Sequence, residues 1–184
     1  MTTKTSPRRE ELLERSYRYA LEHGVADLSL RPLAAAVGSS PRVLLFLFGS
    51  KAALVQALLR RARQDELELL ARARAAGDGE RDPLIVASEL WEWLAAEERR
   101  ALLKLWVEGY GRSLIDAEGP WEGFAAATVA DWLDLLGEVG SDMAERTLIL
   151  AVLRGAMLDL LATGDLERTT AAVQRHLGLL HAAR

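Results

Sequence analysis

The sequence predicts an all-α protein of nine helices. Three observations lead there. Half of its 184 residues are hydrophobic, and alanine, leucine, glutamate and arginine, all good helix formers, dominate. Runs of β-branched residues and period-two alternation are missing, so no segment reads as a strand. Ser, Asp, Gly and Pro recur where helices should begin and end.

The elements follow in order. Ser6-Pro7 reads as an N-cap followed by proline at the first helical position, opening a helix to about His23, which Gly24 stops. Ser29 is expected to cap a second, short helix through Val37, stopped by Gly38. Pro32 has no N–H, so Ser29 should bond that of Arg31 instead. Ser40-Pro41 opens a third helix to about Phe48, and Ser50 caps a long fourth from Lys51 to about Ala75. GDGERD, residues 77–82, reads as a loop. Asp82-Pro83 opens the fifth helix, to about Ala95, and a sixth runs from about Glu97 to Asp116. Gly119-Pro120 opens the seventh, ended by the glycines at 137 and 140. Ser141 is expected to cap the eighth, to about Ala162, and Asp165 the ninth, to about His181.

Charge divides the chain. Residues 1–64 carry 11 Lys/Arg against 5 Asp/Glu, whereas the whole chain is at −4. A basic N-terminal third on an acidic body suggests one end that meets a polyanion. With no cysteine there is no disulfide framework and no thiolate metal site. The N-terminus lacks the apolar core of a signal peptide and LLFLF is too short to span a bilayer, so a cytoplasmic protein without membrane contact is expected.

Two short helices joined by VGSSP suggest a helix-turn-helix. Over residues 8–60 the chain resembles the DNA-binding signature of TetR-family transcriptional repressors. The likeness rests on Gly24, Ser29-Leu30-Arg31, Leu33-Ala34, Gly38, Pro41, Leu44, Phe48, Ser50-Lys51 and Leu54. The resemblance implies a TetR-like architecture: a helix-turn-helix domain at 1–50 and a helical ligand-binding and dimerisation domain at 51–184. It also implies a homodimer on a palindromic double-stranded operator, released by a small-molecule effector.

The residues themselves point the same way. Leu44 and Phe48, four apart, can face the core, which turns Ser39, Ser40 and the first turn of the third helix outward. Arg42 is the best candidate for a guanine contact, because its fork matches O6 and N7. Arg31 and Lys51 are placed for phosphates. TetR-like sequences usually read Leu-Tyr-Tyr-His-Phe before the fourth helix. Here the chain reads Leu44-Leu45-Phe46-Leu47-Phe48, so three hydrogen-bonding groups give way to hydrocarbon. Two uses stay open for Val43, Leu45, Phe46 and Leu47: contact with thymine methyls and sugars, or packing on a neighbouring helix. In the second case the protein would be a TetR-shaped sensor of weak DNA affinity.

In the body, Trp91, Trp106, Tyr110, Phe124 and Thr128 fall where TetR-like proteins hold an apolar or amphipathic effector; a plain aromatic core is the other reading. The eighth helix is apolar nearly all round, and Ala151 and Gly155 on it allow close helix approach. With Val173, Leu177 and Leu180 of the ninth they are expected at a four-helix dimer contact. No G-x-S-x-G, G-x-G-x-x-G or phosphate loop occurs, and the three histidines lack metal spacing. Neither catalysis nor a cofactor is implied.

Overall fold

A computed structural model describes residues 6–25, 27–75, 83–115, 118–137 and 142–182. Among these the chain forms nine α-helices and no strand. They are α1 (Pro7–His23), α2 (Leu30–Ala36), α3 (Pro41–Phe48), α4 (Lys51–Ala75), α5 (Pro83–Ala95), α6 (Arg100–Ile115), α7 (Phe124–Gly137), α8 (Met143–Thr163) and α9 (Leu166–Ala182). No single helix among the described residues is long and apolar enough to cross a membrane.

Most helix ends use the expected residues. Ser6 Oγ accepts from the Arg9 N–H, Ser40 Oγ from Val43, Ser50 Oγ from Ala53 and Asp165 Oδ1 from Arg168. Four expectations need correction. Ser29 makes no side-chain cap bond; at the start of α2 the Leu33 N–H donates to the Ser29 carbonyl, 3.2 Å. Asp142 caps α8, its Oδ1 accepting from the Glu145 N–H at 2.8 Å; Ser141 lies outside the described residues. Glu97–Arg99 is a single 3₁₀ turn ahead of α6. The seventh helix starts only at Phe124, because Gly119 and Gly123 take positive φ and turn the chain before it. Asp116, Gly140 and the loop at 77–82 also lie outside the described residues.

The chain divides into two compact units, Met1–Asp65 with Ala101–Ala125, and Glu66–Arg100 with Ala126–Arg184. α6 falls in the same unit as the helix-turn-helix. The reason is packing. Leu105 and Phe124 are buried in the same cluster as Leu12, Leu33, Leu44 and Leu58, and Trp106 and Tyr110 pack against it. Gly109 makes the approach possible, since a Cβ there would stand 3.1 Å from Leu59 and 3.2 Å from Phe124.

In the second unit α5, α8 and α9 pack on one another around Leu90, Trp91, Ile149, Leu153, Met157 and Val173. Trp91 Nε1 donates to Thr170 Oγ1 at 3.0 Å, tying α5 to α9. The α8–α9 corner is held by Arg168, whose two terminal nitrogens each reach Asp159 at 2.7 Å. Val173 and Leu177, expected at a subunit contact, are only 1% and 8% exposed. They pack in the protomer's own core.

Candidate nucleic-acid interface

Arginines from α1 hold the α2–α3 pair in place. Arg15 Nη1 donates to the Val37 carbonyl at the end of α2. Arg9 Nε donates to the Leu47 carbonyl, and its guanidinium lies 4.9 Å from the centre of the Phe48 ring. Gly38, with φ +67°, makes the turn between the two helices. From the other side, Glu108 of α6 accepts the Val25 N–H at 2.8 Å and fixes the corner after α1.

α4 is locked to α1 by a polar cluster. Tyr17 Oη donates to Asp65 at 2.8 Å, and Arg61 donates both to Glu14 at 2.6 Å and to Asp65. The Arg61 guanidinium also lies over the Tyr17 ring. Burial, and then the hydrogen bond to Asp65, hold the Tyr17 hydroxyl well above its ordinary pKa.

Within this frame α3 sorts its apolar residues. Leu44 and Phe48 are buried, and Leu47 packs partly against the same core, in line with the second of the two uses left open for it. Val43 and Leu45 are each 39% exposed, and Phe46 is 85% exposed. Arg42, Leu45 and Phe46 share one outward face by their i, i+3, i+4 spacing. Ser39 and Ser40 are half-buried, and the Ser40 oxygen is used as the cap. Arg31 and Lys51 are exposed and line one shallow cleft of about 450 Å³ beside Pro41, together with Ser29 and Asp27. The result is an outward helix face with one forked cation, a hydrocarbon surface beyond it and two further cations flanking its start. Such a face can offer charge to phosphates, a bidentate donor to one base and apolar contact to others.

The five residues expected around an effector divide between the units. Trp91 and Thr128 lie in the second unit, and Trp106, Tyr110 and Phe124 lie in the first. In the first unit Phe124 is buried, and Trp106 and Tyr110, partly buried, stack at 4.8 Å and pack against the same cluster. In the second unit Trp91 and Thr128 are buried as well. Trp91 also lines a groove of about 750 Å³ between α5 and α9, with Ala95, Ala96, Leu166 and Thr170, and with Glu92 and Glu167 at its edge.

The outward face of α8 carries Ala144, Leu148, Ala151, Gly155, Leu158 and Ala162, all exposed and spaced alternately four and three apart. A Cβ on Gly155 would meet nothing within 4 Å. On α9 the exposed apolar residues include Ala172, Gly178 and Leu179, while Leu180 is half-buried. The leucines of this surface were missed in the sequence, although the four-three spacing of Leu148, Ala151, Gly155 and Leu158 was there to be read.

No protein-family model matches the chain, and no curated protein matches it. Solved structures do. The multidrug binding protein EbrR, complexed with imidazole, is 28% identical over 95% of this chain and 93% of its own, with a TM-score of 0.66. A TetR-family transcriptional regulator from Cytophaga hutchinsonii is 14% identical over 99% and 97%, with a TM-score of 0.78. A TetR transcription regulator from Haloarcula marismortui is 19% identical over 91% and 93%, with a TM-score of 0.70.

Proposed function

We propose that this chain, which has the fold of the TetR-family transcriptional regulators, binds a palindromic operator as a homodimer and is released from it by a small apolar or amphipathic effector. The observation that carries the reading is α3. It is capped at its start, pinned from α1 by Arg9, and turns Arg42, Leu45 and Phe46 outward between the cations Arg31 and Lys51. A folded protein rarely leaves a helix so apolar exposed without a partner for it. The flanking cations make that partner a polyanion.

The exposed stripe Ala144, Leu148, Ala151, Gly155, Leu158 and Ala162 is the surface on which α8 meets its copy, with Leu179 and Gly178 of α9 beside it. Alternating four-three spacing is what a helix needs to lie along another, and small residues let the two axes come close. A dimer places two α3 helices on successive major grooves, about 34–36 Å apart. For the effector, the groove beside Trp91 is a candidate volume in the second unit, and the solved EbrR, a multidrug binding protein, supports ligand response as the role of the body.

A gel shift on the DNA upstream of the protein's own coding sequence tests the reading. Arg42→Ala should lose about 1–3 kcal/mol of binding and relax the preference at one base position. A TetR-shaped sensor with little DNA affinity is the second reading, prompted by the lack of hydrogen-bonding side chains on α3 after Arg42. It gains if no fragment shifts and selection from a random DNA library enriches nothing.

A further inference from the structure

The side chains of α3 after Arg42 are Val43, Leu44, Leu45, Phe46, Leu47 and Phe48. None carries a hydrogen-bond donor or acceptor. Of these, Leu44 and Phe48 are buried, and Leu47 is partly so. What remains outward is Leu45 and Phe46 on the face of Arg42, with Val43 at its flank. Phe46 has the largest fractional exposure among the exposed large hydrophobic residues. No internal packing accounts for it.

The major groove offers hydrogen-bonding atoms on every base pair but one apolar group, the C5-methyl of thymine. A helix whose only polar reading group is Arg42 cannot distinguish further base pairs by hydrogen bonding. It can distinguish them by that methyl. Resting on the operator-binding reading above, we infer that α3 reads each half-site chiefly through thymine methyl groups. Phe46 and Leu45 cover the methyls of an A·T-containing step, and Arg42 holds a guanine beside it. The flanking cations Arg31 and Lys51 supply phosphate contacts without sequence preference. The occupant of this apolar face is thus a thymine-bearing major groove, chosen over an uncharged partner by the basic surroundings.

The test uses the full-length protein and DNA selected from a random double-stranded library at about 100 mM salt, where non-specific binding is partly suppressed. The enriched duplex is then remade with deoxyuridine in place of individual thymidines, which removes the methyl and leaves the hydrogen-bonding pattern unchanged. At the thymines under Phe46 and Leu45 the affinity should fall about fourfold per methyl, the equivalent of burying one methylene. Phe46→Ala should lose the thymine preference at the thymine under Phe46 and keep it at the one under Leu45, and the Leu45→Ala, Phe46→Ala double variant should bind the thymine and uracil duplexes equally, at the uracil level. Lys51→Ala should weaken both alike and keep their ratio. Helix content and melting temperature of Phe46→Ala should match those of the unaltered protein, since the ring is outside the core.

An enriched site that binds equally with thymine and uracil overturns the inference and leaves the operator reading standing. A thymine preference that survives in the Leu45→Ala, Phe46→Ala double variant also overturns it. If no sequence is enriched, both fall. If the protein instead sediments with vesicles of phosphatidylcholine and phosphatidylglycerol in a Phe46-dependent way, and selects no DNA, the apolar face belongs to a lipid surface and the inference is wrong.

Discussion

α3 and α8 both carry more hydrocarbon than one buried stripe requires, and they expose it in different forms. On α3 the exposed part is bulky, led by Phe46, and cations stand around it: Arg42 on its own face, Arg31 and Lys51 at its start. On α8 the exposed part is a line of Ala, Gly and Leu residues at helix-pairing intervals. A protruding ring among positive charges suits a grooved polyanion. A smooth row of small residues suits another helix at short distance. The kind of residue left outside, more than the amount of hydrophobic surface, tells the two partners apart.

The comparison breaks first if α3 is not split into an inner and an outer half. Leu44→Ala, at a fully buried site, should cost about 2–5 kcal/mol in urea unfolding. Phe46→Ala, two residues on, should stay within about 0.5 kcal/mol of the unaltered protein. Similar losses from both would mean that Phe46 is also core.

Gly155→Leu sharpens the α8 side. Within the protomer a Cβ at 155 meets nothing within 4 Å and the position is exposed, so the fold should stand. Overpacking a helix–helix contact costs about 1–3 kcal/mol, so the dimer should weaken and sedimentation should show monomer. An unaltered dimer would move the contact off this stripe. For the α3 side, Lys51→Ala should lower DNA affinity about equally on every sequence and reduce the slope against log salt by about 0.9. A change confined to one operator sequence would make Lys51 a base reader.

Titration separates the two regions as well. In the N-terminal unit the Tyr17 hydroxyl is protonated and hydrogen-bonded to Asp65, with its pKa raised by burial and then by that bond. A raised pKa stabilises the fold fully below the unfolded value of about 10 and less as the pH climbs toward the folded value. Unfolding should become easier above about pH 10, and Tyr17→Phe should flatten that alkaline limb. At the α8–α9 corner the hydrogen bonds from Arg168 hold the Asp159 carboxyl below its usual range. Its stabilisation is present above the unfolded value, about 3.9, and is lost as the pH falls through the folded one. Asp159→Asn should flatten the acid limb of a melting-temperature profile. The pair is exposed, so this effect should be the smallest of the set.

Nine helices and the place of the turn between α2 and α3 were legible in the sequence, because helix starts and stops are local chemistry. Ser40, Ser50 and Asp165 bond backbone N–H groups three residues ahead, and no distant residue alters that. Cap choices failed where the local pattern allowed two solutions, as with Ser141 and Asp142. Arg42 and Lys51 were placed on the surface by the same local logic. What only the tertiary structure decided is which apolar residues remain in water. Leu47 and Phe46 are adjacent hydrocarbons of similar character, yet the core formed by α1, α2 and α4 takes up part of one and leaves the other out. Val173 and Leu177 were drawn inward in the same way, while Leu158 and Leu179 stayed outside. Burial depends on which helices arrive on each side, a property of the packed whole. Helical periodicity can show that two residues share a face, but the neighbours decide whether that face is the inside.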